Sequence, residues 1–207
     1  IQSVKIGHNF SDSWYGEASY FRNDFRGFFG EKKGRYYFNP DDPNDKSRGY
    51  DWLPKMQNTA KALINYRKND FSAFYKFEYF NEKTDKFAHT VFLNRNGATQ
   101  TMHPTAADEI FFSDRMYHHL NFTGKFNEMN YNLSLSYQEQ KRNRESFTRN
   151  LLSGEKTNIE SLDYNTRKGF FSRGTLNNLF HSGRFNMEVG YEINSDRGAA
   201  SGLSEQN

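Results

Sequence analysis

Residues 184–196 read RFNMEVGYEINSD, and every second side chain from Phe185 onward is apolar: Phe185, Met187, Val189, Tyr191 and Ile193. Asn186, Glu188, Gly190, Glu192 and Asn194 fill the places between. Successive side chains of a strand project to opposite faces, so this segment has one apolar and one polar side. The same alternation places Phe71, Ala73, Tyr75, Phe77 and Tyr79 in one row, and Tyr131, Leu133, Leu135 and Tyr137 in another. All fourteen positions of the three rows are apolar or aromatic. Of the fourteen facing positions eleven are polar, the exceptions being Phe74, Phe80 and Gly190. Two architectures satisfy this pattern. A soluble sandwich turns the apolar rows inward to a core, whereas a membrane barrel turns them outward to lipid and lines its interior with the polar rows.

Composition favours the second. Hydrophobic residues make up only 35% of the 207 and the mean hydropathy is −1.00. That is poor in apolar material for a conventional core. Aromatics nevertheless reach 17%, with 21 Phe and 13 Tyr, which a disordered chain would lack. The apolar material is therefore concentrated in rows.

The rows belong to four hairpin-like stretches. VKIGHNF and WYGEASYFRN flank Ser11-Asp12-Ser13; KALINYR and FSAFYKFEYF flank Lys68-Asn69-Asp70; YHHLNFTGKF and YNLSLSYQEQ flank Asn127 to Asn130; and the fourth turns at Gly183-Arg184. Small polar residues at such points are hairpin-turn chemistry. The turns fall near residues 12, 69, 129 and 185, with long polar connections near 24–59, 83–115 and 142–172. Tight turns on one side and long loops on the other describe an up-and-down outer-membrane barrel. The expected fold is thus an all-β antiparallel transmembrane barrel segment, residues 1–207 forming part of one barrel domain with about eight strands in four hairpins. Aromatics near strand ends (Trp14 and Tyr20, Tyr75 and Tyr79, Tyr131 and Tyr137, Phe185 and Tyr191) fit girdles at the two headgroup zones.

Several classes are excluded. The 28 basic and 25 acidic residues give a net charge of only +3, without the basic, aromatic-interleaved run of a nucleic-acid groove. Cysteine is absent, which rules out disulfides and thiolate metal sites. No apolar run approaches the roughly 18 residues of a membrane helix, and IQSVKIGHNF lacks a signal-peptide core. An opening in mid-strand at Ile1 and a polar stretch from Gly198 to Asn207 suggest a piece of a larger barrel.

The stretches WYGEASYFRNDFRGFF, NYRKNDFSAFYKFEYF, NLSLSYQEQ and FNMEVGYEINSD, linked by long polar loops, resemble the barrel of a TonB-dependent outer-membrane receptor, in style most similar to those of Bacteroidetes-type bacteria. The resemblance spans nearly the whole chain and rests on spacing rather than on a diagnostic motif. It implies residence in the outer membrane of a Gram-negative bacterium, contact with outer-membrane lipid, and uptake of a scarce small nutrient (siderophore, oligosaccharide, peptide or vitamin). Energy would come from TonB through a plug domain that has no counterpart in these residues. Two other readings stay open: a self-contained eight-stranded membrane barrel with adhesive or structural loops, and a soluble secreted β-sandwich that binds or processes carbohydrate.

Candidate binding residues lie in the loops, which carry recognition on a rigid scaffold. Tyr36, Tyr37, Tyr50 and Trp52 in the first connection, and Phe111 and Phe112 in the second, could stack on a sugar, peptide or ring system. Asp41, Asp42, Asn44 and Asp45 resemble a loose calcium loop, although Pro43 interrupts them and the spacing is not that of an EF-hand. His118 and His119 are adjacent and so face opposite sides of a strand, unable to share a metal. Glu188 and Glu192 would stand roughly 13 Å apart, too far for a glycosidase pair. With no G-x-S-x-G elbow and no P-loop spacing, the chain is not expected to be an enzyme.

Overall fold

A computed structural model describes residues 1–95, 101–179 and 186–201. The turn expected at Gly183-Arg184, and Phe185 beside it, lie outside the described residues. Among the described residues nine strands form one antiparallel sheet: β1 (Gln2–Asn9), β2 (Trp14–Phe25), β3 (Lys55–Lys68), β4 (Phe71–Lys86), β5 (Phe92–Arg95), β6 (Met102–Phe126), β7 (Met129–Asn150), β8 (Lys156–Asn177) and β9 (Val189–Ala200). Eight of them form an up-and-down meander in chain order, and the short β5 pairs only with the start of β6. Among the described residues β1 and β9 are each paired on one side only, so the sheet is open. Among the described residues strands touch only their sheet neighbours, and no second sheet packs on either face of the meander.

Local chemistry sets the turns. Lys68 pairs with Phe71 and Phe126 with Met129, which leaves the two-residue turns Asn69-Asp70 and Asn127-Glu128. Asn69 and Asn127 take the left-handed conformation, φ 52° and 54°, which asparagine tolerates better than most residues.

Residues directly opposite each other in an antiparallel pair share a face, so the register carries one row across the whole sheet. From Tyr75 that row runs to Ile64 and Gly16 on one side, and to Leu120, Leu135 and Ser172 on the other, ending at Ile193. Parallel rows join Phe77, Ala62, Ala18 and Ile6 with His118, Tyr137 and Phe170. The apolar rows of the separate strands therefore fuse into one band on one face. From Phe71 to Tyr79 it measures about 27 Å along the strand, or about 20 Å across a tilted barrel wall. At its turn-side edge Trp14, Tyr66 and Phe71 pack ring to ring. At the far edge Tyr20 and Tyr79 donate their hydroxyls to Asn58 (2.7 Å) and Asp114 (2.8 Å), the first polar rows beyond the band. Tyr131 and Tyr191 lie flat over their cross-strand partners Gly124 and Gly174; a Cβ at either glycine would come within 2.3 Å of the ring or its hydroxyl. Glycine there is what lets the aromatic side chain cover the sheet.

Only the first of the three long connections is a loop. Residues 26–54 link β2 to β3 and fold on themselves through the bridges Phe28–Trp52 and Gly34–Gly49. The second expected loop, 83–115, consists largely of the end of β4, all of β5 and the first half of β6. The third, 142–172, is a two-stranded ribbon of β7 and β8 closed by a tight turn at Gly154, φ 77°. Phe111 and Phe112 accordingly sit on β6, not in a loop. These extensions read as loops because charged residues interrupt their apolar rows, Asp108 between Ala106 and Ile110 and Arg149 beside Phe147, which blurs the alternation that marks a strand.

The conventional core lies on these extensions. Phe87, Val91, Ala106, Ile110, Phe147 and Leu151 are buried, with Phe38 of the first loop and Leu93 packed against Val91, Ala106 and Leu151. Ala106, Ile110 and Phe147 belong to the same face as the band, so the loop covers that face where the band has ended.

Candidate functional site

The face opposite the band is polar and shared by all the strands. Near its middle Glu78 accepts Arg115 (3.0 Å) and lies 3.2 Å from Lys61 and 3.6 Å from Lys76, three cations around one carboxylate. Arg115 also lies over the ring of Phe80, 5.3 Å from its centre, and Lys76 over Tyr117 at 5.9 Å. Phe74 meets His119 edge to face, and His119 in turn bonds Ser134 Oγ at 2.9 Å. Further along, Lys86 and Arg144 both hold Glu109, and Arg142 covers Phe111 at 4.9 Å. Toward β9, Arg167 pairs with Asp196 at 2.8 Å beside an open depression of about 250 Å³ that also includes Tyr117 and Ser136. Cations here outnumber carboxylates and stand against aromatic rings, a surface suited to hold polar or anionic groups with an aromatic body.

The second constellation anchors the first loop. Arg48 grips Asp108 in a two-pronged pair, Nη1 to Oδ1 and Nη2 to Oδ2, both 2.8 Å. Arg149 Nε donates to Asp108 Oδ2 at 2.8 Å and the Ala88 amide to Oδ1 at 3.2 Å. Arg48 further donates to the carbonyls of Arg35 and Ala88, and Arg149 lies between the rings of Phe147 and Tyr36. Arg48, Asp108 and Arg149 are all buried, at 1%, 0% and 7% exposure, so the triad works away from screening water.

The predicted binding residues do not converge. Tyr50 stacks between Phe29 and Phe87; Tyr36 rests near Arg35 and Arg149; Tyr37 donates to Asp45; Trp52 is exposed beside Phe28. Phe111 and Phe112 point to opposite faces, Phe111 to the polar one and Phe112 to the band's, near Lys83. In the acidic run, Asp42 Oδ1 accepts the Asn44 amide (3.2 Å) and Asp45 Oδ1 the Ser47 amide (2.8 Å), which makes both turn caps. The Ser47 amide, aided by the Tyr37 hydroxyl against some desolvation, holds the Asp45 carboxyl below its ordinary range. Among the described residues no three His, Cys, Asp or Glu side chains gather as a metal ion needs. His118 and His119 do face opposite sides, His118 bonded to the Tyr75 hydroxyl at 2.8 Å. Sequence reasoning missed Arg48, Asp108 and Arg149, whose partners lie 60 and 41 residues apart in the chain and leave no local signal.

No protein-family model and no characterised protein matches the chain. Solved structures do resemble it, among them two siderophore-related receptors. The ferric preacinetobactin receptor BauA from Acinetobacter baumannii superposes with a TM-score of 0.51 at 12% identity, over 96% of this chain and 34% of that one. The siderophore receptor PiuA from the same organism gives 0.48 and 10%, over 96% and 38%. The chain thus spans little more than a third of the structures it resembles. At such identity the likeness is one of fold, a strand meander also found within a receptor. The narrower likeness to Bacteroidetes-type receptors finds no support in these two.

Proposed function

We propose that this chain forms part of the wall of a TonB-dependent receptor in the outer membrane of a Gram-negative bacterium, and that the receptor takes up a small nutrient ligand. The observation that carries this reading is the continuous apolar band. It crosses eight strands on one face, with no protein layer over it among the described residues, while the other face is charged. In water such a band would be an exposed apolar patch far larger than soluble monomers tolerate. In a bilayer it is the surface that lipid covers. The fold shared with BauA supports the receptor class.

In this reading the scaffold and the path divide by face. The band anchors the wall, and the cation-rich, aromatic face of Lys61, Lys76, Arg115, Phe111 and Arg142 lines the interior, where a polar ligand passes. Coupling to TonB would belong to a plug domain, and the chain's own residues perform no bond-making chemistry. Ligand contact falls to Phe111 among the predicted aromatics, because it alone of the six stands on the polar face of a strand beside a cation.

The absence of cysteine makes the test direct. Single cysteines are placed along β7 at Asn132, Leu133, Ser134 and Leu135 and probed in the membrane-inserted protein with a water-soluble maleimide. Labelling is expected at 132 and 134 and to be withheld at 133 and 135. Uniform labelling, or the reverse alternation, overturns the membrane reading.

A further inference from the structure

Beneath the first loop, on the band's face, lies a cavity of about 560 Å³ whose chemistry the proposed transport role does not use. Three cations line it on this face, Arg26 and Arg35 from the loop and Lys83 on β4, while Lys55 at its rim belongs to the opposite face of β3. Asp24 and Asp85 are its carboxylates. Asp24 is already 3.5 Å from Arg22 of its own strand, and Asp85 together with the Tyr50 hydroxyl stands against Arg35, which leaves Arg26 and Lys83 outside any ion pair among the described residues. Arg26 and Lys83, converging on one cavity without a carboxylate of their own, leave a local field that favours an anion. The remaining wall is apolar, made by Phe25, Tyr50 and Met56 among others.

Position separates this cavity from the polar face. Asp24, Met56 and Lys83 form one cross-strand row on the side of the band. The next row toward the band is Arg22, Asn58 and Asn81, and the one after that is Tyr20, Ala60 and Tyr79, the band's far edge. The cavity floor therefore lies about 13 Å along the strand beyond the last aromatic ring, within the headgroup layer once strand tilt is allowed for. A second depression, of about 400 Å³, adjoins it and shares Asp24 and Arg26 with Arg22. Exposed Phe28 and Trp52 flank the loop that roofs it.

We propose that this cavity binds the phosphate-bearing headgroup of a membrane lipid, whose acyl chains lie on the apolar band below. The assignment rests on the membrane reading above. A free anion would need only the cations. The apolar half of the lining and the unbroken path to the band fit a molecule with both a phosphate and hydrocarbon.

The test is native mass spectrometry of the detergent-extracted protein offered equal amounts of phosphatidic acid and phosphatidylcholine with identical chains. Heat-modifiable electrophoretic migration of the same samples reports the folded barrel independently. Retained phosphatidic acid is expected to exceed phosphatidylcholine about tenfold, and the preference to fall to near parity in the Arg26→Gln/Lys83→Gln variant. Equal retention of the two lipids, or an undiminished preference in the variant, overturns the lipid site while intact migration leaves the membrane reading standing. Displacement of phosphatidic acid by millimolar inorganic phosphate overturns it as well, in favour of a free-anion site. Migration that heat does not alter overturns both readings together.

Discussion

Strands β6 and β7 carry one face through two surroundings. In their turn-side halves that face shows Phe122, Leu120 and Met116 beside Leu133, Leu135 and Tyr137, with no protein over them among the described residues. In their far halves it shows Ala106, Asp108 and Ile110 beside Phe147 and Arg149, all buried under the first loop. The difference lies in what the cover can bring with it. In the proposed membrane setting the cover would be hydrocarbon, which offers no hydrogen bond and no counter-charge; the uncovered stretch has few polar side chains, and His118 finds its partner within the sheet in Tyr75. A polypeptide loop can supply Arg48 to meet Asp108 and Phe38 to meet Ala106, so the covered stretch tolerates buried charge.

The strongest way to break this comparison is to remove the loop's counter-charge. Asp108→Ala leaves two buried guanidiniums without a carboxylate, a loss of about 3–5 kcal/mol. Residues 26–54 should then exchange their amide hydrogens freely and become open to protease, while heat-modifiable migration of the barrel persists. A loop that stays protected would mean that the apolar contacts of Phe38, Leu151 and their neighbours hold it without the triad. Replacing all three residues with apolar ones of similar size (Arg48→Met, Asp108→Leu, Arg149→Met) should restore most of the protection, because no buried charge is then left unpaired.

The band half answers to the opposite rule. Leu135→Arg puts a charge near the middle of the lipid-facing row and should cost about 2–4 kcal/mol of folding free energy in bilayer vesicles. Ser134→Arg, one residue away on the polar face, should change it by no more than about 0.5 kcal/mol. Denaturant titration of the vesicle-refolded protein measures both. Equal costs would mean that both sides of β7 meet the same medium, and the division of faces would fail.

This contrast also explains which parts of the fold were legible in the sequence. The band half could be read because its alternation is strict, as the proposed lipid contact would demand: the rows through Tyr75, Leu133 and Tyr191 identify strand, face and hairpin at once. The far half could not. In MHPTAADEIFF the buried Asp108 breaks the apolar row of Ala106 and Ile110, in SGEKTNIESLDYNTRK polar residues dominate the sequence, and strands of 25 and 22 residues pass for loops. Loop aromatics drew attention as binding groups, yet Tyr50 and Tyr36 serve the packing of the loop onto the ribbon. The residues that fix that packing, Arg48 and Asp108, are single charges in polar surroundings. Only the folded register brings them together. The acidic run was visible as a cluster of carboxylates, but two of them are used up as caps for local turns, which spacing alone does not reveal.

One of those caps gives the smallest of the expected effects and sharpens the account of the loop. Asp45 accepts the Ser47 amide and the Tyr37 hydroxyl, so its carboxyl is held below the ordinary carboxylate range. A group whose folded value is depressed contributes stability that is fully present above the unfolded value, near 3.9, and is lost as pH falls through the folded value. Local protection of residues 42–47 should therefore be flat from neutral pH down to about 5 and decline below about 4. Asp45→Asn should remove that decline, since an amide has no proton to gain. The group is only half-buried and the Arg48–Asp108 anchor is fully buried, so the change should be confined to this turn and leave the docking of the loop intact. Hydrogen exchange followed residue by residue between pH 6 and 3 distinguishes the two. A loop that undocks as a whole with the same pH dependence would show that the turn and the anchor are one cooperative unit, and that the Asp45 cap does more than shape its own turn.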